Sequence, residues 1–319
     1  MKVRLGVRDW DYVTPLLLGD VKGEGFELVV DRFADLPTDF ANDERYDATE
    51  MSLSRYSTGR ARGETGIFGV PHIMMRAFRH RCIVTSKRSG LTAIAQLKGK
   101  RIGLAGWQDS GNTWTRALLR REGIAIEDAQ WRISRLLASH PIIDRLGRYG
   151  RPGLVEVVKG DTPLLEMLER GELEAVFMPF MPAGFYADAS PFRQLVPDFR
   201  QAEIKYFNEV GYVPAHHVLA VKPAIVKENP WLPQALSAVI EKSYRMWQEK
   251  RLRYADTTPW LLDEMRQVAQ DLPADWDRND YAGNLRMLGD FCTELHAQKL
   301  IDAPITPELL FPQVVEKAA

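Results

Sequence analysis

The stretch GLTAIAQLKGKRIGLAGWQDSGNTWTRALLRREG, residues Gly90–Gly123, decides the fold class. It predicts a short helix, a glycine turn, the strand RIGLA, and a second helix that is capped by Ser110, Asn112 or Thr113 and ends before the closing glycine. The segment TPLLEMLERGELEAVFMP (162–179) repeats the order of helix, glycine and strand. Strands that alternate with helices indicate an α/β chain with mainly parallel sheets.

Apolar periodicity predicts further elements on both sides of this stretch. The segment YDATEMSLSRYSTGRA (46–61) passes from extended chain into a helix, with Ser52 or Ser54 as its N-cap. The other predicted strands are VRLGV (3–7), FELVVDRF (26–33), HRCIVTS (80–86) and GYVPAHHVLAVK (211–222), and the long C-terminal helices lie in 232–250 and 279–299. The sequence has no repeat and no long linker, so two lobes would be joined by strands.

Composition excludes several classes of protein. The 319 residues suffice for one large or two modest domains, and 45% hydrophobic with 27% charged residues is an ordinary globular mixture. A net charge of -1 argues against a nucleic-acid-binding protein at the level of the whole chain. No apolar run approaches the ~20 residues that a membrane span needs. Cys82 and Cys292 make no disulfide framework and lack metal-ligand spacing.

Charge along the chain predicts a location and a class of ligand. The start MKVRLGVRDW carries Arg4, Arg8 and Asp9 where a secretory signal has its apolar core, which predicts a cytoplasmic protein. Residues 76–151 contain 16 Lys and Arg against 5 Asp and Glu. Such a basic segment is either a solvated surface or an attractor for a small anionic substrate, and RNA binding is disfavoured because no RNA-binding motif is present.

Seven segments together resemble 4,5-dihydroxyphthalate decarboxylases. They occur in the family's order and span Leu5 to Pro312. They are DWD (9–11), LxxGxVxxEGxxL (16–28), YDATEMSLSRY (46–56), RAFRHRCIV (76–84), GELEAVFMPFMP (171–182), VPAHHVLAVKPAIVKENPWL (213–232) and the stretch from WDRNDY to LFP (276–312).

The resemblance implies a two-lobed α/β fold of the type 2 periplasmic-binding-protein kind, with a ligand cleft between the lobes. Lobe 1 would comprise 1–85 and 208–319, lobe 2 would be inserted at 86–207, and hinge strands would lie near 80–86 and 211–221. Ligands of such folds bind at strand ends and helix N-termini.

The implied activity is cofactor-independent decarboxylation of a hydroxylated aromatic carboxylic acid, a carboxy-lyase reaction. A ring hydroxyl supplies electron density, the ring carbon is protonated, and CO2 leaves. The family pattern favours His80 and His217 as proton donors and Glu50 as a further acid, base or acceptor for a phenolic hydrogen. Alternation along a strand points His216 and His217 to opposite faces, which disfavours a metal site there.

Candidate substrate-binding residues follow from the same segments. Arg76 and Arg79 could hold a carboxylate, and Trp10 could stack on an aromatic ring. Ser52 and Ser54 could donate to an anion or simply cap a helix. Each of the others also has a plain packing or capping explanation; they are Asp9 and Asp11 beside Trp10, and Trp107, Ser110, Asn112 and Thr113 at a helix start.

One departure from the family pattern bears on the substrate. Where the family has SPRxPxxF, this chain has MPFMPAGF, with Phe180 in place of the arginine and Met178 in place of the serine. A buried carboxylate without a partner is costly. We therefore expect 4,5-dihydroxyphthalate to be a poor substrate and a monocarboxylate to be better, unless Arg76, Arg79 or Arg116 takes over the missing role.

Two other functions fit the same fold. One is a solute-binding protein of an uptake system, which would need a membrane permease as its partner. The other is an enzyme of a different reaction class. For the leading function we expect a small aromatic carboxylate as the ligand, no cofactor, no metal, no nucleic acid and no membrane, with homo-oligomerisation left open.

Overall fold

The computed structural model describes residues 1–313 and contains, in that range, eleven strands and ten α-helices. The strands are β1 (Lys2–Arg8), β2 (Glu27–Phe33), β3 (Ala48–Ser52), β4 (Phe68–Arg76), β5 (Ile83–Ser86), β6 (Arg101–Leu104), β7 (Gln130–Ile133), β8 (Val155–Val157), β9 (Ala175–Phe177), β10 (Phe192–Gln194) and β11 (Ala215–Val221). The helices are α1 (Thr14–Leu17), α2 (Leu53–Ala61), α3 (Ser110–Arg121), α4 (Leu164–Arg170), α5 (Phe199–Val210), α6 (Pro223–Glu228), α7 (Leu232–Arg253), α8 (Leu261–Asp271), α9 (Tyr281–Ala297) and α10 (Pro307–Leu310).

The chain forms two compact units. Unit 1 contains Met1–Arg76, Ala215–Gly289 and the segment from Ile305 onward, and unit 2 contains Ala77–Pro214 and Asp290–Pro304. Each unit holds one sheet. The lobe bounds and hinge strands expected from the sequence stay predictions.

The unit 1 sheet has five strands in the order β2-β1-β3-β11-β4. β1 pairs in parallel with β2 and β3, whereas β11 runs antiparallel to both β3 and β4. Its core combines alternate residues of β1 with apolar residues of α7, among them Val3, Leu5, Leu232 and Leu236. The late strand β11 therefore joins two strands from the first quarter of the chain.

The unit 2 sheet has six strands in the order β10-β5-β9-β6-β7-β8. β9, β6, β7 and β8 are parallel, and β5 and β10 add an antiparallel edge. The α4 residues Leu164 and Leu168 pack against Val84 and Val176 of the sheet. Gly171 ends α4 with a φ of 76°, a left-handed value that glycine adopts without strain.

The structure confirms the α/β pattern and corrects three details. The sheets are mixed rather than mainly parallel, because β11, β5 and β10 run antiparallel to their neighbours. The predicted strand 80–86 begins at Ile83, since His80–Cys82 forms a 3-10 turn. Ser52, rather than Ser54, is the N-cap of α2. No helix in the described chain is long and apolar enough to cross a bilayer.

Candidate functional site

Strand register in unit 1 brings Glu50 and His217 together. β3 and β11 pair antiparallel, with Glu50 opposite Leu219 and Ser52 opposite His217. Residues two apart on a strand share a face, and diagonal partners across an antiparallel pair lie within reach of long side chains. The Glu50 carboxylate consequently meets the His217 ring, with Oε1 2.5 Å from Nδ1.

The Glu50 carboxylate is fully buried and accepts hydrogen bonds from three N–H groups. The Arg8 backbone N–H donates to Oε2 over 2.8 Å, and the Trp10 indole Nε1 lies 2.9 Å from each carboxylate oxygen. The third donor is His217 Nδ1. A buried carboxylate needs such donors to replace its lost hydration. These bonds hold Glu50 as an acceptor that orients His217.

His217 keeps one ring nitrogen available for chemistry. Since Nδ1–H donates to Glu50, Nε2 is the nitrogen that can take up or release a proton. No residue in the range 1–313 forms a hydrogen bond with Nε2, and the side chain stays 15% exposed. A histidine oriented by a carboxylate is a common arrangement for general acid–base catalysis.

His80 lies in unit 2 and has a different environment. It is buried, its Nδ1 has no hydrogen-bond partner within the described chain, and its ring packs edge-on against Tyr206 with 5.7 Å between centroids. Burial, assisted by the charge of Arg121, lowers the pKa of His80 to about 4. His80 is therefore neutral near pH 7, which disfavours it as a proton donor.

The two candidate carboxylate-binding arginines differ in what they already bind. In unit 1, Arg76 donates to Asn284 Oδ1 over 2.9 Å and to the carbonyl oxygen of Arg278 over 2.6 Å. Burial lowers the pKa of Arg76 to about 10. In unit 2, Arg79 is 3% exposed and donates through Nε to Thr115 Oγ1 over 3.1 Å. Hydrogen bonds within unit 1 hold the Arg76 guanidinium. The hydrogen bond of Arg79 is made by Nε and leaves its terminal nitrogens available.

The side chains at the start of α3 do not cap the helix as the sequence predicts. The N-cap is Asp109, whose side chain makes no capping hydrogen bond. Asn112 Nδ2 donates to the Gly106 carbonyl oxygen over 2.7 Å, and Thr113 Oγ1 donates to the Asp109 carbonyl oxygen over 3.1 Å. Asn112 and Thr113 lie inside the first turn of the helix, which is why neither can cap it. Ser110 is buried as the first helical residue.

Trp107 is a core residue of unit 2. It is 1% exposed, and the Arg116 guanidinium lies over its ring at 4.0 Å from the centroid. Trp131 packs edge-on against it with 5.6 Å between centroids. This packing accounts for Trp107 without a ligand, and its substrate-binding role stays a prediction.

The residues around Trp10 have structural partners. Asp9 accepts two hydrogen bonds of 3.0 Å from Arg32 Nη1. Asp11 begins the 3-10 turn Asp11–Val13 and is exposed. Trp10 itself uses its indole N–H on Glu50, which places it beside the Glu50–His217 pair.

The remaining candidates lie on α2 and after β9. Ser52 Oγ accepts the Arg55 backbone N–H over 3.4 Å as the α2 N-cap, and Ser54 is fully buried in the same helix. Phe180 follows β9 and is 54% exposed. Roles in substrate binding stay predictions for all three candidates, Ser52, Ser54 and Phe180.

Glu203 is an ionisable group that the sequence analysis missed. It lies on α5, is 8% exposed, and accepts the Arg81 backbone N–H over 3.2 Å. Burial raises the pKa of Glu203 to about 7 against the opposing effects of Arg81 and Arg79. The spacing of Glu203 with Tyr206, Phe207 and Val210 on the buried face of α5 was the signal that could have revealed it.

Within the described residues, no group of three or more His, Cys, Asp or Glu side chains is arranged to hold a metal ion. Cys82 and Cys292 are both buried. Of the candidate residues, the Glu50–His217 pair lies in unit 1 and Arg79 lies at the start of α3 in unit 2.

Two curated relatives support a decarboxylase. A 4,5-dihydroxyphthalate decarboxylase of Comamonas testosteroni is 28% identical over 98% of this chain and 96% of its own length. A 4,5-dihydroxyphthalate decarboxylase of Pseudomonas putida is 29% identical over 66% of this chain and 83% of its own length. These two relatives confirm the resemblance seen in the sequence motifs, and both are named as decarboxylases, which are carboxy-lyases. No protein-family model matches the chain.

Solved structures confirm the fold class. The periplasmic aliphatic sulphonate binding protein of Escherichia coli has a TM-score of 0.55 at 11% identity and covers 97% of this chain and 91% of its own. A Candida albicans protein with the generic periplasmic binding protein fold has a TM-score of 0.56 at 12% identity, over 99% and 95%. A desulfurization enzyme has a TM-score of 0.51 at 16% identity, over 99% and 100%. The fold therefore serves both binding proteins and an enzyme, and the site must decide the function.

Proposed function

We propose that this protein decarboxylates a hydroxylated aromatic carboxylic acid and that His217 delivers the proton to the ring. The observation that carries the proposal is the Glu50–His217 pair, in which Nδ1 is bound to the carboxylate and Nε2 has no partner among residues 1–313. The decarboxylase names of both curated relatives support the reaction class.

The reaction consumes one proton, and the electron pair of the broken carbon–carbon bond stays on the ring. His217 Nε2–H transfers its proton to the ring carbon that bears the carboxylate, while a ring hydroxyl donates electron density and becomes carbonyl-like. The bond to the carboxylate carbon then breaks, its electron pair restores the aromatic ring, and neutral CO2 departs. In sum, the carboxylate and one proton become the arene and CO2. A positioned acid of this kind contributes ~10²–10⁴-fold to the rate.

Glu50 and Trp10 have positioning roles in this scheme. Glu50 fixes the tautomer and direction of the His217 ring, and the Trp10 indole N–H fixes the carboxylate. His80 is not the donor we propose, because its lowered pKa of about 4 leaves it without a proton to give near pH 7.

The ligand class that fits this chemistry is a small aromatic carboxylate. The basic segment 76–151, with 16 Lys and Arg against 5 Asp and Glu, supports an anionic ligand. A cytoplasmic location stays a prediction from the sequence.

The test is CO2 release from a panel of hydroxylated benzoates and phthalates, 4,5-dihydroxyphthalate among them. Wild type should release one CO2 for each acid consumed. His217→Gln should lower kcat by ~10²–10⁴-fold, whereas the matched His80→Gln should not. Far-ultraviolet circular dichroism would establish that both variants are folded.

Two results would contradict the proposal. Tight binding of these acids without turnover by wild type would favour a solute-binding protein. Wild-type kcat in a folded His217→Gln variant would remove His217 from the chemistry.

A further inference from the structure

Strand β2 leaves one side of its backbone without hydrogen-bond partners. It is an outermost strand of the unit 1 sheet and pairs with β1. The Glu27 N–H donates to the Met1 carbonyl oxygen over 2.9 Å, so the odd-numbered residues of β2 direct their backbone groups to β1. The N–H and C=O groups of Leu28, Val30 and Arg32 therefore point to the open side of the strand. Within residues 1–313, none of these groups forms a hydrogen bond.

The other three sheet edges of the described chain are closed to pairing. β4, at the opposite edge of the unit 1 sheet, contains Pro71, which has no N–H. The Asn279 side chain also binds both backbone groups of Ile73 on β4. The edges of the unit 2 sheet, β8 and β10, are three residues long. Proline, a covering segment and short length are ways in which proteins block edge-to-edge pairing.

β2 lacks each of these protections. It has seven residues, contains no proline, and pairs with β1 in one unbroken register. Charged side chains also protect edges, because a second strand would have to bury them without a partner. Each charge on β2 is already paired within unit 1; the ion pairs are Glu27–Lys2 at 3.3 Å, Asp31–Arg4 at 2.6 Å and Arg32–Asp9 at 3.0 Å. A second strand can therefore approach β2.

Apolar surface along β2 favours that approach. Leu28 and Val30 pack against the unit 1 core, yet both stay partly exposed at the sheet edge. Trp231 is 45% exposed and packs on Phe26, the residue before β2, with 5.9 Å between ring centroids. A strand added at this edge would bury apolar side chains as well as pair backbone groups.

We propose that two copies of this chain pair through β2, antiparallel to each other about a two-fold axis at Val30. The contact is self-complementary, because the same strand supplies donors and acceptors in both copies. Val30 exchanges two hydrogen bonds with Val30 of the second copy, and Leu28 exchanges two with Arg32 of the second copy. The two five-stranded sheets become one sheet of ten strands.

Charge along the strand favours the antiparallel arrangement. In the unit 1 sheet, Val29 lies opposite Arg4 of β1. The antiparallel register places Asp31 opposite Val29 of the second copy, and so in one row with Arg4 of that copy. Parallel pairing in register would instead place Asp31 against Asp31 and Glu27 against Glu27, and like charges directly opposite are unfavourable.

Sedimentation equilibrium tests the assembly. Wild type at ~100 μM should have twice the 36.3 kDa mass of one chain. Val30→Pro removes an outward N–H and keeps the hydrogen bonds to β1, which proline tolerates on an edge strand. Because two hydrogen bonds across the two-fold axis are lost, the dimer Kd should rise by ~10–100-fold. Val30→Thr keeps the N–H and the branched side chain, and as the matched control it should dissociate like wild type.

Hydrogen exchange locates the interface in wild type. The amides of Leu28, Val30 and Arg32 should exchange at least ~10-fold more slowly in the dimer than after dilution to the monomer, because pairing protects them. The amides of β8, at an edge of the other sheet, should exchange at one rate in both states.

Three results would overturn the proposal. A wild type that stays monomeric at ~100 μM lacks the contact. A dimer in which exchange at β2 does not depend on concentration uses another surface. Equal dissociation constants of folded Val30→Pro and Val30→Thr variants would show that the outward N–H makes no bond between the copies.

Discussion

The hydrogen bonds of the Trp10 side chain indicate its role. The sequence suggests that its ring stacks on the substrate, whereas the structure shows its indole N–H on the Glu50 carboxylate. If Trp10 positions Glu50, Trp10→Phe removes the donor and keeps the ring. We expect kcat to fall by about 10-fold or more, the value of one hydrogen bond to a charged group, with a small change in KM.

A stacking role for Trp10 gives the opposite pattern. Phenylalanine would still stack, so both kcat and KM would stay close to their wild-type values. The pH profile of kcat gives a further readout, because a loosened Glu50 would alter the titration of the group that donates the proton. An unchanged profile together with unchanged kcat would contradict the positioning role.

His72 predicts how stability depends on pH. Its Nε2 accepts from Asn279 Nδ2, and its Nδ1 donates to Ser237 Oγ over 2.7 Å, so the ring is neutral in the folded protein. Burial, assisted by the charge of Arg76, lowers the pKa of His72 to about 3. An unfolded histidine titrates near ~6.5, so unfolding takes up a proton between these values and stability falls as the pH falls through them.

The test compares urea unfolding of wild type and His72→Gln at pH 7 and pH 5. His72 should contribute about 1.4 kcal/mol per pH unit to the loss of stability below its unfolded pKa, and the variant should lack that contribution. His80 acts in the same direction and Glu203, with its raised pKa, in the opposite one, but both are present in each protein. Equal losses in the two proteins would show that His72 does not titrate on unfolding.

Phe180 predicts a substrate preference, and the measurement is kcat/KM. Because the family's arginine is replaced by Phe180, we expect wild type to prefer 3,4-dihydroxybenzoate over 4,5-dihydroxyphthalate, and Phe180→Arg to raise kcat/KM for the diacid. If the diacid is preferred only in Phe180→Arg, the missing arginine sets the specificity, as the sequence alone predicts.

The start of α3 depends on a small residue. Gly111 lets the Arg79 guanidinium approach the helix backbone, because a Cβ there would lie at 3.0–3.4 Å from its three terminal atoms. Gly289 on α9 is the matched control, since an added Cβ there meets no atom within 4 Å. Gly289→Ala should raise the free energy of unfolding by up to ~1 kcal/mol through helix propensity, and Gly111→Ala should gain less because its Cβ displaces Arg79. Urea unfolding that gives equal gains in both variants would contradict the contact.

The sequence predicted individual helices and strands better than it predicted the order of the strands in the sheets. The segment GYVPAHHVLAVK was predicted as a strand and contains β11, and the glycines at 123 and 171 marked the ends of α3 and α4. Local sequence does not contain strand order, so the antiparallel insertion of β11 between β3 and β4 could not be derived. The N-cap of α3 is Asp109 rather than a predicted residue, because Asp109, Ser110, Asn112 and Thr113 are all plausible capping residues within a five-residue stretch.

At the scale of the whole molecule, the sequence predicted the candidate residues but not which of them contact each other. The contact between Glu50 and His217 joins residues 167 positions apart through strand register. The absence of a partner for the Arg79 terminal nitrogens depends on the whole surrounding packing of unit 2. Sequence resemblance supplied the reaction class, and the different surroundings of His217 and His80 support our proposal of His217 as the proton donor.

The central claim is that the chain protonates an aromatic ring carbon and releases CO2 from it. The most direct measurement is the reaction of 3,4-dihydroxybenzoate and of 4,5-dihydroxyphthalate in D2O, with each product analysed by mass spectrometry and proton NMR. For the acid that reacts, we predict one non-exchanging deuterium, at the carbon that carried the lost carboxylate, formed by wild type and at least ~10²-fold more slowly by His217→Gln. Recovery of both acids unreacted from wild type, or equal rates in the two proteins, would contradict this claim.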